Sequence, residues 1–252
     1  MSRYVAVGVM ALGLFLSSCT TSPVTAMQNA LADRLASNLK DALALSVREV
    51  VSRLGAANGY LNNPLVQLFL PPPVTLAVRL LQGAGELLDE EGDPAQRLEK
   101  AINLAASAVI PSAAPILERA LEQMPLTEAR ALLTGGETAF TDYLKTKTQA
   151  ALTEQLQPLV VANLDQSGTL AKYGEIVERF QALSVTTDDV AAAAAEPAQA
   201  AEPLPTVAEF ERYVTDQAIS GLFRMVGAEE QKIRQSPVFQ DIELLKTVLG
   251  QE

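Results

Sequence analysis

From Leu31 to Leu54 the apolar residues Leu31, Leu35, Leu39, Leu43, Val47, Val50, Val51 and Leu54 recur at intervals of three and four. That spacing places them on one side of a helix, and a strand, whose side chains alternate faces, cannot use it. A helix of that length with one apolar stripe must bury the stripe against other elements, so the rest of the chain has to supply partners. It supplies helices. The apolar residues are mostly Ala and Leu, aromatic residues make up 5% of the chain, Trp is absent, and no long Val/Ile/Thr alternation occurs; each of these favours helix over sheet. The expected fold class is all-α: a single multi-helix, bundle-like domain with one extended, proline-ended strap and short helix connections.

Prolines, glycines and capping residues divide the chain. The first helix is predicted from Met27 to about Ala56, with Gly55 as its stop, and Asn58-Gly59 makes a turn. Tyr60-Leu61-Asn62-Asn63-Pro64 leads into the apolar run Leu65 to Leu70, and Pro71-Pro72-Pro73 holds the chain extended after it. Helices are expected at Val74–Leu88 and at Pro94–Val109, the latter capped by Asp93. Pro111, Pro115 and Pro125 cut the next stretch into short helices, one of them Leu126–Leu133, which ends at Gly135-Gly136. A long helix from about Glu137 to Asp165 carries Pro158, where a bend is expected, and Gly168 ends it. Leu170–Leu183 comes after it, with Ile176, Val177 and Phe180 inward. The Ala/Pro/Glu-rich segment at about 190–205 reads as a solvated connector. Thr206 then opens a helix with the stripe Phe210, Val214, Ala218, Leu222 and Met225 that runs through Ile233, and Ser236-Pro237 starts a last one ending at Gly250. No fixed-period repeat is present, which argues against a solenoid.

The N-terminus has the layout of a secretory signal: Met1-Ser2-Arg3, an unbroken apolar run from Val5 to Leu16 too short to span a bilayer, then small residues. Leu16-Ser17-Ser18-Cys19 resembles the bacterial lipobox, in which the cysteine is acylated and becomes the new N-terminus. The expected organisation is a signal peptide at 1–18, a lipid-attached tether at 19–27 and a helical domain at 28–252. Cys19 is the only cysteine, so no internal disulfide can form. Thr20, rather than Asp, stands after it; by resemblance to sorting patterns in enteric bacteria this favours the outer membrane, facing the periplasm. One acyl chain anchors only marginally, so stable attachment calls for two or more.

Asp and Glu outnumber Lys and Arg by 30 to 19, a net charge of −11. Such a surface repels phosphate backbones, which argues against nucleic acid as a partner, and repels an anionic membrane, which leaves the lipid as the anchor. The absence of histidine removes Ser-His-Asp and Cys-His mechanisms and the commonest zinc ligand. No cofactor and no metal site is expected.

Three segments carry a likeness: Tyr60-Leu-Asn-Asn-Pro64 with its sequel; Leu133-Thr-Gly-Gly-Glu-Thr-Ala-Phe-Thr-Asp-Tyr143 with Lys147-Thr148; and Tyr213 through Phe223 to Pro237. Together, in this order, they resemble the bacterial domain-of-unknown-function family 4197, over nearly all of the chain from about Ala30. The resemblance implies an exported protein, often a lipoprotein, and brings no catalytic residues. The Ala/Pro/Glu connector is longer than the family pattern, which suggests an insertion away from any site.

Several groups bear on function. Gly135-Gly136 with Thr138 at a helix start reads either as an anion site of free N–H groups or as a helix stop that permits a sharp turn; the second is simpler, because no Lys stands directly after the glycines. Thr141, Lys145 and Thr148 share one helical face, read as solvated or as the polar lining of a groove. The run Leu65–Leu70 reads as a buried strap or as the wall of a groove for an apolar ligand. Gly221, inside a strong helix, costs about 1 kcal/mol relative to Ala, which close approach of another helix would offset. Asp89-Glu90-Glu91-Gly92-Asp93 lacks the alternating ligand spacing of a calcium loop and reads as an inter-helix turn. The leading expectation is a lipid-anchored, non-enzymatic module that binds a protein or an apolar ligand through the surface around Asn62, Asn63, Pro64, Gly135, Gly136, Thr138, Thr141, Lys145 and Gly221. The competing expectation is a hydrolase of wall or lipid material using Glu137, Asp142, Glu229 and Glu230; a purely structural envelope scaffold is the third.

Overall fold

The computed structural model describes residues 23–87, 92–183, 203–237 and 239. Their regular structure is helical, with no strand among the described residues. The helices are α1 (Pro23–Gly55), α2 (Pro72–Gly83), α3 (Pro94–Val109), α4 (Ala114–Glu122), α5 (Leu126–Leu133), α6 (Ala139–Gln166), α7 (Thr169–Ala182) and α8 (Val207–Arg234), and a 3-10 turn at Ile110–Ala113 joins α3 to α4. The segment read as a lipobox, residues 88–91, residues 184–202 and the chain beyond Phe239 lie outside the described residues.

Local signals set most of the helix ends. Asp93 Oδ1 accepts from Ala95 N at 3.0 Å with Pro94 in the first turn of α3, and α8 opens on a reciprocal capping box between Thr206 and Glu209. Ser236 Oγ accepts from Phe239 N at 3.3 Å, the geometry of the expected cap. α1 begins at Pro23, inside the stretch assigned to the tether. α2 stops at Gly83, short of the expected Leu88. Gly85 adopts φ 75° and Glu86 N donates back to Leu81 O at 2.9 Å, a left-handed closure that only glycine takes without strain.

The core forms around α8, which packs on α1, α3, α6 and α7. Its predicted stripe is buried throughout, and Thr215, Ile219, Gly221, Phe223, Val226, Gly227 and Glu230 are buried too, so much of the helix is enclosed rather than one-sided. α1 turns Leu39, Leu43, Val47, Val50 and Leu54 inward, and α6 contributes Phe140, Leu144, Leu152, Leu156, Val160 and Leu164. Tyr173 of α7 stacks on Phe210 of α8 with ring centroids 4.1 Å apart and planes 12° from parallel. The run Pro94–Glu122 is long and apolar enough to cross a membrane by composition, but half of its most apolar window is buried in the bundle and the 3-10 turn interrupts it.

The strap crosses the bundle in extended form. Val66, Leu68 and Leu70 are buried while Leu65 and Phe69 are 48% and 57% exposed, an alternation of period two inside a helical protein. A buried extended segment without a strand partner must find other groups for its backbone. Asn103 of α3 serves: its Oδ1 accepts from Leu68 N at 2.9 Å and its Nδ2 donates to Leu68 O at 2.7 Å, as a neighbouring strand would. Tyr60 N donates to Ser107 Oγ (3.1 Å), Tyr60 OH to Ala218 O (2.6 Å) and Tyr213 OH to Phe69 O (2.9 Å). Gly221 is the place where strap and α8 touch. A Cβ there would lie 2.7 Å from Tyr60 Cε1 and 3.2 Å from Val66 Cβ, so the approaching element is the strap and not the helix expected from sequence.

Candidate functional site

The residues singled out from the sequence lie along α8, in two groups. At Gly221–Met225 the helix meets the strap: Asn63 Nδ2 donates to Met225 Sδ at 3.3 Å and Asn63 Oδ1 accepts from Leu65 N at 3.1 Å, while Asn62 and Pro64 lie at the surface. Further along, at Gly227–Glu230, α8 meets the start of α6. There the vacant side of Gly227 faces Thr138 and Thr141. Gly136 is exposed, and Gly135 is pressed against Ala139.

The helix start at α6 holds an anion, and the anion is the protein's own. Glu230 accepts from Phe140 N (3.0 Å), Thr141 N (2.9 Å) and Thr141 Oγ1 (2.8 Å), and Arg234 donates to it through Nε (3.0 Å) and Nη2 (2.8 Å). Its side chain is fully enclosed and that of Arg234 is 10% exposed. Arg234 also donates to Leu132 O at 2.9 Å, which ties the end of α5 to the same pair. The free N–H groups that could have held a ligand are therefore occupied, and Gly135-Gly136 acts as the turn. Thr141 and Thr148 are buried rather than solvated, with Lys145 exposed beside them; Thr148 Oγ1 donates to Leu144 O at 2.7 Å, which lets a hydroxyl sit in an apolar face.

The four acids considered for hydrolysis do not converge on a cleft. Glu230 is the cap just described, Glu229 bridges Arg53 (3.1 Å) and Lys232 (2.9 Å), and Glu137 and Asp142 lie at the surface, Asp142 accepting from Thr138 Oγ1 at 3.1 Å. Burial, the largest single influence on Glu229, raises its carboxyl, and the combined pull of Lys232 and Arg53 outweighs it and holds the group below the usual carboxylate range. No group of three or more acidic or cysteine residues is placed to hold a metal among the described residues.

A cleft of about 370 Å³ opens elsewhere, between α4, α5 and α6. Its walls arise from local pattern. Tyr143, Lys147 and Ala151 succeed one another at four-residue spacing beside the buried stripe of α6, and α4 presents Ile116, Arg119 and Ala120 opposite. Pro125 starts α5 so that Glu128 falls in its first turn, on the wall of the gap. The polar groups here pair loosely. The Glu128 side chain is 41% exposed, and its Oε2, shielded from solvent, makes no well-formed hydrogen bond. Lys147 Nζ stands 3.9 Å from Glu128 Oε1 and 5.4 Å from the centre of the Tyr143 ring. Burial, and next the adjacent Glu128 carboxylate, push the Tyr143 phenol up to about 12, yet no well-formed hydrogen bond joins the two. Arg119 is exposed and makes no ion pair among the described residues.

Two further clefts are present. One of about 240 Å³ lies between the start of α3 and the α6–α7 turn, with Ser167, Thr169 and Lys172 on its wall. The other, about 390 Å³ and almost wholly apolar, lies between α1 and the end of α8, where Leu39, Ala42, Ile233 and Phe239 meet. None of the three is lined by Asn62, Asn63, Pro64, Gly135, Gly136, Thr138, Thr141, Lys145 or Gly221. Arg119, Glu128, Tyr143 and Lys147 carry no shared local signal, since they come from three helices; only the Tyr143–Lys147 spacing is visible in the sequence.

A family model described as "Protein of unknown function (DUF4197)" matches residues 30–250. No curated protein and no solved structure matches the chain.

Proposed function

The chain belongs to the DUF4197 family, and on that footing we propose that it is a lipid-anchored protein of the bacterial envelope, attached through Cys19 to the outer membrane on its periplasmic side, that binds a small ligand in the cleft between α4, α5 and α6 and does not turn it over. The observation that carries the binding half is the loosely matched charge of that cleft. Glu128 and Lys147 are both partly exposed and 3.9 Å apart, and Arg119 makes no ion pair among the described residues, so charges of both signs line one concave surface with room for a ligand to pair with them. Asn63, Thr138, Thr141 and Gly221 are engaged in packing α8, and the exposed Asn62, Pro64, Gly136 and Lys145 line none of the three clefts, which argues for the cleft over that surface. Binding is favoured over hydrolysis because the acids available for catalysis are paired, capping or dispersed. The anchoring half rests on Leu16-Ser17-Ser18-Cys19 alone.

Two measurements test the reading. Mass spectrometry of the N-terminal peptide from native membranes should find Cys19 acylated and N-terminal; an unmodified mature Cys19 sinks the lipoprotein claim. Native mass spectrometry of the detergent-extracted chain should find a small molecule that an Arg119→Ala/Lys147→Ala double variant no longer retains. Equal retention by both proteins removes the cleft from consideration.

A further inference from the structure

Resting on the cleft as the binding site, we propose that its ligand is a small zwitterion, a free amino acid or the end of a short peptide, with its ammonium group on Glu128 and its carboxylate between Lys147 and Arg119. The charge arrangement selects this class. A simple anion drawn by Lys147 and Arg119 would take Lys147 from Glu128 and place a like charge beside that carboxylate. A simple cation drawn by Glu128 would meet two positive side chains at the mouth. An apolar ligand would strip water from Glu128, Lys147 and Arg119 without pairing them.

A molecule carrying both charges a few ångströms apart answers every group at once. The exposed side of the Glu128 carboxylate gains a charge-assisted donor, the Tyr143 ring offers its face to the ammonium, and Lys147, whose side chain is half exposed at 3.9 Å from Glu128 Oε1, is free to swing outward onto the carboxylate. At about 370 Å³ the cleft lies at the small end of ligand sites. Its apolar walls, Ile116, Ala120 and Ala151, suit a short aliphatic side chain.

The test is a methyl-detected NMR titration of the full chain in detergent micelles, read at Ile116, Ala120 and Ala151, with L-alanyl-L-alanine as probe. Its N-acetyl form lacks the ammonium and its C-terminal amide lacks the carboxylate. The dipeptide should shift these methyl signals saturably, and each blocked form should bind about tenfold more weakly or worse. Glu128→Gln should weaken the dipeptide and its amide by a similar factor without changing the melting temperature. Equal binding of the dipeptide and a blocked form, or undiminished binding to Glu128→Gln, overturns the zwitterion while leaving the cleft as a site. If the dipeptide, acetate and propylamine all fail to move any of the three methyl groups, the zwitterion is overturned and the cleft reading fails with it.

Discussion

Asn103 is predicted to be a critical polar residue of the fold, because one side chain gives Leu68 both of the hydrogen bonds that a neighbouring strand would. It is fully buried. It closes two hydrogen bonds with Leu68 at 2.9 and 2.7 Å and a third, Nδ2 to Glu99 O, at 2.7 Å. Glu99 O lies in a helix and keeps its intrahelical acceptor role, so its loss is small. Leu68 is different: the residue is 2% exposed, and removing Asn103 leaves both its N–H and its C=O without protein or water. Each orphaned group costs about 1–3 kcal/mol, so Asn103→Ala should destabilise the chain by about 3–4 kcal/mol. That is a large share of the ~5–15 kcal/mol expected of a whole domain. Urea unfolding should show a lower midpoint at unchanged slope, and amide exchange at Leu68 should accelerate well beyond that of the α6 core. Asn103→Leu separates hydrogen bonding from volume: it fills the space and still orphans Leu68. If Asn103→Leu lies within about 1 kcal/mol of the native protein, or if Leu68 exchange is unchanged in Asn103→Ala, the strand-mimic argument is wrong.

Glu230→Gln should destabilise by about 3 kcal/mol, since it leaves Arg234 buried without its counter-ion and weakens the cap on α6; chemical denaturation measures it, and a loss below about 1 kcal/mol refutes the cap as a major contributor. Tyr143 and Tyr173 are each raised to about 12 from 10, chiefly by burial. A group that holds its proton longer when folded contributes stability that is full below the unfolded value and disappears as pH climbs through the folded one, so stability should fall between about pH 10 and 12. A 295 nm titration of the folded chain minus that of Tyr143→Phe should place the missing tyrosinate step near 12; a step at the ordinary phenol value would contradict the half-buried position beside Glu128.

The helix boundaries are legible wherever a cap, a proline or a glycine acts over a few residues. Pro94–Val109 and Leu126–Leu133 have the ends that their flanking residues imply. One departure is itself local: Gly85 takes a left-handed closure that ends α2 early. Others come from contacts between distant segments. Thr141, Lys145 and Thr148 read as a solvated face or as the polar lining of a groove; Thr141 and Thr148 are buried because Glu230 and Leu144 O satisfy their hydroxyls, and Thr148 does line the cleft between α4, α5 and α6. The anion-binding capacity of the α6 start is visible in the sequence, but its occupant comes from a helix about ninety residues away, beyond the reach of any local pattern.

From its own periodicity and composition the sequence determined that this protein is all-α, where most of its helices start and stop, and that one apolar segment cannot stay helical into three prolines; the family resemblance rests separately on three quoted segments. The structural properties derive from hydrogen bonds and steric limits within a few residues. The tertiary structure decided what α8 encloses, that Asn103 and Gly221 receive the strap, that Glu230 closes the α6 start, and that Arg119, Glu128, Tyr143 and Lys147 face one cleft. These depend on how helices far apart in the chain approach one another, and close packing sets that approach through all of them together.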